Sequence, residues 1–223
     1  GATPNILVWG DSHAAALIPA FDRALIERNA AGLIATVGAC APLLEVRRTN
    51  YDNSRCERFN QAVKAWIESG DHSIQEVVLV SRWNLNATGV RPLGEAGASV
   101  ELVRSDATPM ASNADVFGYG LAATVDMLEA KGIRVTILDN VPEISWNVPM
   151  ATAFRTRLGI DNPEAPSFEL VAARSKVARE VIEQVIANRE ARFISLNSKL
   201  CTPVCITLHN GLPIYSDDDH IAI

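Results

Sequence analysis

The sequence predicts a three-layer α/β domain built on a parallel sheet. Short apolar runs, typical of buried strands, alternate with segments of helical periodicity at the spacing of βαβ units. The chain carries no internal repeat and no low-complexity tract. Its 223 residues, with 48% apolar side chains, are enough to enclose a full core. We therefore expect one domain over residues 1–223.

The first half of the chain contains three expected strands. Residues 5–9 (NILVW) form an unbroken apolar run, typical of a strand buried on both faces. Residues 14–29 then place apolar side chains on one side of a helix. Residues 32–37 (GLIATV) predict the second strand and residues 76–80 (EVVLV) the third, with a short helix over 59–69 between them.

The middle of the chain begins with a segment of different composition. Residues 84–113 contain Gly, Pro and Asn throughout, which predicts surface loops. A helix follows over residues 115–131, and Gly132 is the expected end of it. Residues 134–138 predict the fourth strand.

The last third opens on a stretch punctuated by prolines, up to Pro166. Ser167 is suited to cap a long helix that runs to about Arg189, because a serine side chain can accept a hydrogen bond from the first turn. Residues 193–196 predict the last strand.

Polar residues follow three of the expected strands. In a parallel α/β sheet the ligand site lies beyond the carboxyl ends of the strands, so these residues are expected to line one crevice. They are Asp11 and Ser12 after the first strand, Gly38 after the second, and Arg82, Trp83 and Asn84 after the third.

Charge and hydropathy exclude several classes of function. The net charge is -6, and the chain has no block of Lys and Arg that would follow a phosphate backbone, so nucleic acid is excluded as a partner. No apolar run reaches the roughly 18 to 20 residues that cross a bilayer, and the N-terminus lacks a signal-peptide pattern. We expect a soluble chain, and one that is a piece of a longer protein.

The four cysteines are compatible with two pairs, Cys40 with Cys56 and Cys201 with Cys205. Disulfides would indicate an oxidising compartment. A zinc site is the competing interpretation, but the fifteen and three intervening residues differ from the usual spacing of zinc ligands. Free thiols are the third alternative, and the sequence favours disulfides over both.

Ser12 is the candidate nucleophile. The apolar run before it ends at Gly10 and a helix begins directly afterwards, an arrangement by which α/β enzymes expose one side chain. A serine needs a base, and that base needs a group that orients it. Of the four histidines, His220 has a carboxylate, Asp217, three positions earlier, on the same side of a turn. The competing interpretations are a helix cap for Ser12 and, for residues 217–219, a solvated acidic turn or a cation site.

Several short motifs surround these candidate residues or lie elsewhere in the chain. They are GDSH at 10–13, GACAPL at 38–43, Cys56 with Phe59 and Asn60, VVLVSRW at 77–83, the Cys201 and Cys205 pair, and GLPIYSDDDH at 211–220. With them the chain resembles the SGNH (GDSL-type) hydrolase superfamily. It is most similar to the SGNH domain fused to the C-terminus of bacterial membrane acyltransferase-3 proteins, which modify surface polysaccharides.

The resemblance implies a flavodoxin-like α/β/α fold and a catalytic set. Ser12 would be the nucleophile, His220 the base and Asp217 its orienting acid. The superfamily builds its oxyanion hole from the serine N–H, a glycine N–H after the second strand and an asparagine side chain after the third. Gly38 fits the second role. Trp83 stands at the asparagine position, so Asn84, one residue later, is the candidate for the third.

Arg82 and Trp83 are further candidates for substrate binding. The indole of Trp83 offers a flat face on which a sugar ring can stack, with Arg82 beside it as a hydrogen-bond donor. The competing interpretation places Trp83 in the core. No metal site and no cofactor in this domain are expected.

The function that the resemblance implies is O-acyl transfer, with acetyl as the acyl group, to a surface carbohydrate such as lipopolysaccharide O-antigen. The expected partners are the carbohydrate acceptor and a fused or associated acyltransferase-3 domain, which would supply the acetyl donor. The domain would then lie outside the bacterial inner membrane, in the periplasm, tethered to that membrane. A carbohydrate O-acetylesterase and a glycan-binding module without catalysis are the alternatives.

Overall fold

A computed structural model describes residues 2–49, 54–92 and 95–222 of the chain. Strands and helices alternate along most of its length. The strands are β1 (Ile6–Gly10), β2 (Gly32–Thr36), β3 (Val46–Arg48), β4 (Glu76–Val80), β5 (Leu102–Arg104), β6 (Arg134–Leu138), β7 (Arg192–Ile194), β8 (Leu208–His209) and β9 (Leu212–Pro213). The helices are α1 (Ser12–Ala16), α2 (Ile18–Glu27), α3 (Arg55–Ser69), α4 (Trp83–Thr88), α5 (Asn113–Ala130), α6 (Val148–Leu158), α7 (Phe168–Ile186) and α8 (Asn197–Leu200).

The central sheet is parallel, and within the described residues its five strands lie in the order β2-β1-β4-β6-β7. The chain therefore winds first towards one edge and then towards the other, and the order changes direction at β1. Gly10 at the end of β1 pairs with Thr36 of β2 and with Val80 of β4. The carboxyl ends of these three strands are thus level, which brings the segments that follow them together.

Both faces of the sheet are covered, which accounts for the unbroken apolar character of its central strands. Along β1, Leu7 and Trp9 pack into one hydrophobic cluster while Val8, between them, packs into the other. The first cluster includes the buried faces of α3, α4 and α5, and the second includes residues of α1 and α6. This arrangement is the three-layer α/β/α fold that the sequence predicts.

The predicted strands of the sheet are confirmed to within one or two residues, and β4 and β6 coincide with their predicted ranges. The predicted helix ends are also confirmed at two places. Gly132 follows α5 with a positive φ of 70°. The side chain of Ser167 accepts a hydrogen bond from the N–H of Leu170 at 3.4 Å and so caps α7.

The prediction of surface loops over residues 84–113 is wrong for residues 84–88 and 102–104, whereas the described residues of 89–101 and 105–112 lie in no helix or strand. The segment begins in the buried helix α4 and later forms β5, which pairs antiparallel with β3 in a second, small sheet. Asparagines are typical of loops because their amides compete with the backbone, but here the amide N–H groups donate to carbonyls of neighbouring segments. The Asn86 amide donates to the carbonyl of Arg82 at 2.8 Å, and Asn113 donates to the carbonyl of Asn86 at 2.8 Å.

Two further elements differ from prediction. The helix expected over residues 14–29 is divided into α1 and α2, because Pro19 has no N–H to continue the hydrogen bonds of the first helix and suits the first turn of a new one. The proline-punctuated stretch contains α6, which Asn147 caps by accepting the N–H of Met150 at 2.9 Å. Gly159, with a φ of 65°, ends that helix.

The predicted disulfides are confirmed: Cys40 is bonded to Cys56, and Cys201 to Cys205. The first ties the turn after β2 to the first residues of α3, across a predicted polar loop of which residues 50–53 lie outside the described ones. The second lies in the core cluster beneath α1 and α6. Both therefore fix segments close to the carboxyl end of the sheet.

Among the helices of the described residues, none combines the length and the apolar character that crossing a bilayer requires.

We predict that Gly10→Ala destabilises the fold strongly. A Cβ atom at this position would lie 1.8 Å from the carbonyl oxygen of Val80 and 2.8 Å from the Cβ of Ala14. Neither neighbour can move without shifting a strand or a helix, and overpacking of this kind costs about 3 kcal/mol. Urea denaturation of both proteins, with disulfides intact, measures the difference in free energy of unfolding.

Gly38→Ala is the matched control, since a Cβ atom there would meet nothing within 4 Å. Equal stability of the two variants would contradict the steric role of Gly10.

Candidate active site

The segments that follow β1 and β4 and the C-terminal turn enclose a cleft of about 330 Å³ at the carboxyl end of the sheet. Its lining is mainly polar and comprises Asp11, Ser12, His13, Ala39, Arg48, Arg82, Leu85, Asn86, Arg91, Glu95, Asp217, Asp218, Asp219 and His220. Cavities of about 440 and 610 Å³ lie elsewhere, but no histidine lines either of them. The side chains that line this cleft, and not its volume, therefore make it the candidate active site.

Ser12 is the first residue of α1, and the buried side chain of Asp11 sets its position. One carboxylate oxygen of Asp11 accepts the N–H of His13 at 2.9 Å and caps the helix. The other oxygen accepts the hydroxyl of Ser81 and, at 3.1 Å, the N–H of Arg82. Asp11 therefore fixes the start of α1 against the segment that leaves β4.

The C-terminal turn is stabilised by the side chain of Asp217. Its Oδ1 accepts the N–H groups of Asp219 at 3.0 Å and of His220 at 2.7 Å. Two backbone hydrogen bonds hold the turn against the start of α6 and the segment before it, from Ile144 to the carbonyl of Asp218 and from Val148 to that of Asp217. The imidazole of His220 therefore stands on a fixed backbone.

The structure brings the three residues of the predicted catalytic set together. The distance from His220 Nε2 to Ser12 Oγ is 2.8 Å, and the distance from His220 Nδ1 to Asp217 Oδ2 is 2.8 Å. With the proton on Nδ1 donated to Asp217, Nε2 is free to accept the proton of the Ser12 hydroxyl. This arrangement activates a serine as a nucleophile, and 208 positions separate its base from it in the sequence.

A second carboxylate, which the sequence did not single out, lies against the same histidine. Asp219 Oδ1 is 2.8 Å from His220 Nδ1, and Asp219 Oδ2 is 2.8 Å from Arg82 Nη1. His13 also enters the site: its Nε2 is 3.5 Å from Asp219, and its ring lies 4.4 Å from that of His220. The signal in the sequence was the run of three aspartates before His220, which does not show which of them face the imidazole.

These contacts change the protonation of the site. Asp219, more than the charge of Asp217, raises the pKa of His220 from 6.5 to about 9, against the opposing effect of burial. Burial by itself would raise the pKa of Asp219, but the contacts with His13, His220 and Arg82 hold it well below the usual range. Near neutral pH the resting site therefore contains an imidazolium with two carboxylates beside its Nδ1 atom.

Arg82 lines the cleft, but its guanidinium is occupied by acidic side chains. It donates to Glu95 at 2.9 Å, to Glu143 at 2.7 Å and to Asp219. Burial by itself would lower the pKa of Arg82, but these three carboxylates raise it above its usual value. These contacts hold the walls of the cleft, and the role of Arg82 as a hydrogen-bond donor to a substrate stays a prediction.

The predicted role of Trp83 in stacking on a sugar is wrong, because the side chain is fully buried, with 0% exposed. Its indole N–H donates to the carbonyl of Leu138 at 2.7 Å, and its ring lies 5.9 Å from that of Phe117. Asn84 also points away from the cleft: its amide donates to Glu143 and Ser175, each at 3.3 Å. Since α4 begins at Trp83 and its side chains turn by about 100° per residue, Leu85 and Asn86 line the cleft and Trp83 and Asn84 do not.

Gly38 lies exposed in the turn after β2, next to the cleft-lining residue Ala39. Ala39 has a positive φ of 64°, and its carbonyl accepts a hydrogen bond from Arg48 at 3.0 Å. The role of the Gly38 N–H in an oxyanion hole stays a prediction.

Two groups of side chains in the described part of the chain are close enough to share a cation. The first is His13, Asp219 and His220, and the second is Asp217, Asp218 and Asp219. Asp219 belongs to both, and its carboxylate already neutralises the charge of Arg82. The neighbouring guanidinium opposes the binding of a second positive charge. The absence of a metal site stays a prediction.

A parallel α/β sheet with a hydrogen-bonded serine, histidine and aspartate at its carboxyl edge defines a class of protein, the serine-dependent acyl hydrolases and transferases. Within that class, residues 1–223 match the family described as "SGNH domain (fused to AT3 domains)", and the chain belongs to this family. Family membership supports an SGNH-type enzyme and, at the level of the family, acyl transfer.

A solved structure shares the fold. The chain is similar to the periplasmic domain of a lipopolysaccharide acetyltransferase from Salmonella ser. Paratyphi A, with a TM-score of 0.67 and 18% identity over 100% of this chain and 78% of that one. A GDSL-like lipase from Bacteroides thetaiotaomicron is similar at a TM-score of 0.48 and 11% identity, over 98% of this chain and 80% of that one. No curated protein sequence matches the chain.

We predict that protonation of His220 stabilises the folded protein. Because its folded pKa of about 9 exceeds the unfolded value of 6.5, this contribution is fully present below pH 6.5 and is lost as the pH rises through 9. The free energy of unfolding, measured by urea denaturation, should therefore fall more between pH 6.5 and pH 9.5 for the wild type than for His220→Gln. Equal decreases in the two proteins would contradict this prediction.

Proposed function

We propose that this domain transfers a small acyl group, acetyl, from an activated ester or thioester to a carbohydrate hydroxyl through a covalent intermediate on Ser12. The observation that carries the proposal is the 2.8 Å contact between His220 Nε2 and Ser12 Oγ, with Asp217 on the other ring nitrogen. Membership of a family fused to AT3 domains supports acyl transfer as the reaction.

In the first step, Ser12 Oγ forms a bond to the carbonyl carbon of the donor while its proton passes to His220 Nε2. The bond between that carbon and the leaving oxygen or sulfur then breaks, and the leaving group takes the proton from His220. The products of this step are acetyl-Ser12 and the free donor alcohol or thiol. Neutral His220 is required, so the reaction is expected to accelerate as the pH rises towards 9.

In the second step, an acceptor hydroxyl attacks the acetyl carbon of acetyl-Ser12, and its proton passes to His220 Nε2. The bond from the acetyl carbon to Ser12 Oγ breaks, and His220 returns the proton to Ser12. The negative oxygen formed in each step needs hydrogen-bond donors, and the N–H groups of Ser12 and Gly38 are our candidates. Each such donor contributes about 10² to 10³ in rate.

The cleft supports a small acyl group and a hydroxyl-rich acceptor. Its volume of about 330 Å³ and its mainly polar lining suit a sugar and an acetyl group better than a long acyl chain. Arg48, Arg91 and Asp218 also line the cleft, and their charged side chains suit hydrogen bonds with hydroxyl groups.

We further propose that the domain works outside the cytoplasmic membrane, in the periplasm, and receives its acetyl donor through an AT3 membrane domain. Two disulfides support an oxidising compartment, and the family description supports the membrane partner. The similar Salmonella structure is a periplasmic domain of a lipopolysaccharide acetyltransferase, which supports a lipopolysaccharide sugar such as O-antigen as the acceptor.

We predict that Ser12→Ala lowers the turnover of p-nitrophenyl acetate by about 10³-fold or more, because the covalent step then lacks its nucleophile. His220→Ala should cause a loss of similar size, since the two residues act as a unit. Ser198→Ala is the matched control, an exposed serine that also lies in a short helix. Wild-type turnover by Ser12→Ala would overturn the proposed mechanism.

Transfer and hydrolysis share the acetyl-Ser12 intermediate and differ in the acceptor. The wild-type domain, given an acetyl ester and a bacterial polysaccharide, should yield acetylated polysaccharide, which mass spectrometry detects. Free acetate alone would indicate an O-acetylesterase. Glycan binding without turnover of the ester would indicate a module that presents the acceptor to its membrane partner.

A further inference from the structure

Asp219 is a buried carboxylate at the meeting point of three basic side chains. Its side chain is almost wholly enclosed, with 3% of the residue exposed. One oxygen is 2.8 Å from Nδ1 of His220, and the other is 2.8 Å from Arg82 and 3.5 Å from His13. A buried carboxylate is costly unless it is paired, and here each pairing leads into the site.

The Nδ1 atom of His220 therefore has two acidic neighbours at the same distance. Asp217 Oδ2 is aligned to accept the N–H as a hydrogen bond at 2.8 Å, whereas Asp219 Oδ1 lies beside it as a charge contact at 2.8 Å. The other oxygen of Asp217 is occupied by the backbone of its own turn. Asp217 is thus the hydrogen-bond acceptor, and Asp219 adds a second negative charge.

Arg82 holds Asp219 from the side opposite to His220. It is itself fixed by Glu95 and Glu143 through its guanidinium and by Asp11 through its backbone N–H. Without this cation, three successive aspartates would repel one another at the turn. Repulsion between neighbouring carboxylates is evident at Asp218, whose pKa is raised first by burial and then by the charge of Asp219.

His13 completes the surroundings of the imidazole. It is buried, and its ring packs at 4.4 Å and 36° against the ring of His220. Its contact with Asp219 leaves the carboxylate enclosed on three sides. The charged and titratable groups that face His220 are thus Asp217 and Asp219 from its own turn, His13 from α1 and Arg82 from the segment after β4, with Glu95 and Glu143 behind Arg82.

We propose that Asp219 is a positioning residue for His220: a second carboxylate that, with Asp217, stabilises the imidazolium formed when Ser12 gives up its proton. The inference rests on the proposed function and deepens it. A carboxylate opposed to an imidazolium at 2.8 Å stabilises the charged form, and Arg82 keeps that carboxylate ionised and in place. The alternative is a structural role in which Asp219 serves only to pair Arg82.

The pH dependence of the reaction distinguishes these roles. Loss of one carboxylate beside an imidazolium lowers the pKa of the imidazole by about 1 to 2 units. We predict that Asp219→Asn shifts the rising limb of kcat/KM for p-nitrophenyl acetate, measured from pH 5 to 10, by that amount towards lower pH. A purely structural role would change the fraction of folded protein and leave the midpoint of the limb where it is.

Asp219→Glu and Asp22→Asn are the controls. The first keeps the charge and is expected to restore the wild-type midpoint in large part. The second removes an exposed carboxylate of α2 and should leave the profile unchanged. A folded Asp219→Asn protein with the wild-type midpoint would overturn the proposal.

A second measurement does not depend on catalysis. In Asp217→Asn, the proposal expects His220 to keep a higher pKa than in the double variant Asp217→Asn/Asp219→Asn, because Asp219 still faces it. NMR titration of the imidazole resonances, with His220→Gln to assign them, measures this value. An equal His220 pKa in Asp217→Asn and in the double variant Asp217→Asn/Asp219→Asn would show that Asp219 does not stabilise the imidazolium.

Ser12→Ala, assayed beside these variants, separates the two proposals. Wild-type turnover by Ser12→Ala would contradict the proposed function. The NMR titration would still show whether Asp219 stabilises the imidazolium of His220. Loss of turnover in Ser12→Ala, with an unshifted profile in Asp219→Asn, would retain the proposed function and overturn the role of Asp219 alone.

Discussion

The buried carboxylate of Asp11 is the interaction on which the rest of the site depends. It caps α1 and so places Ser12, and at the same time it accepts the hydroxyl of Ser81 and the N–H of Arg82. Through Arg82 the same set of contacts continues to Asp219, and from Asp219 to His220. A single acidic side chain at the end of β1 thus links the segments that leave two adjacent strands with the C-terminal turn.

This connection has a steric requirement and an electrostatic one. The steric requirement is met at Gly10, where the backbone of β1 approaches β4 too closely for any side chain. The electrostatic requirement is that every buried charge has a partner, because an isolated one would cost several kcal/mol. Arg82, with 8% of its surface exposed, meets Glu95, Glu143 and Asp219 at once, and Arg174 adds a further donor to Glu143. The polar walls of the cleft therefore form one charge-balanced unit.

The sequence-based predictions were accurate where a feature depends on neighbouring residues and less accurate where it depends on residues distant in sequence. Strands buried on both faces are continuous apolar runs, and helix ends at Gly132 and Ser167 depend on neighbouring residues, so both were predictable. Helix α6 carried comparable local signals in Asn147, Pro149 and Gly159, yet its prolines favoured a loop interpretation. Helix α4 ends at Gly89, but no side chain caps its start, and the amide of Asn84 donates to Glu143 and Ser175, which are distant in sequence.

The sequence by itself determined the α/β class, the central strands, the pairing of the cysteines and the three residues Ser12, Asp217 and His220 as candidates. Each of these follows from local patterns or from the spacing within short motifs. Tertiary structure alone decided that Trp83 is core, that Asn84 and Arg82 are committed to buried partners, and that Asp219 rather than Asp218 faces the imidazole. The physical reason is that the direction of a side chain at the end of a strand depends on where the next helix begins and on which charges lie opposite, and both are set by contacts between distant parts of the chain.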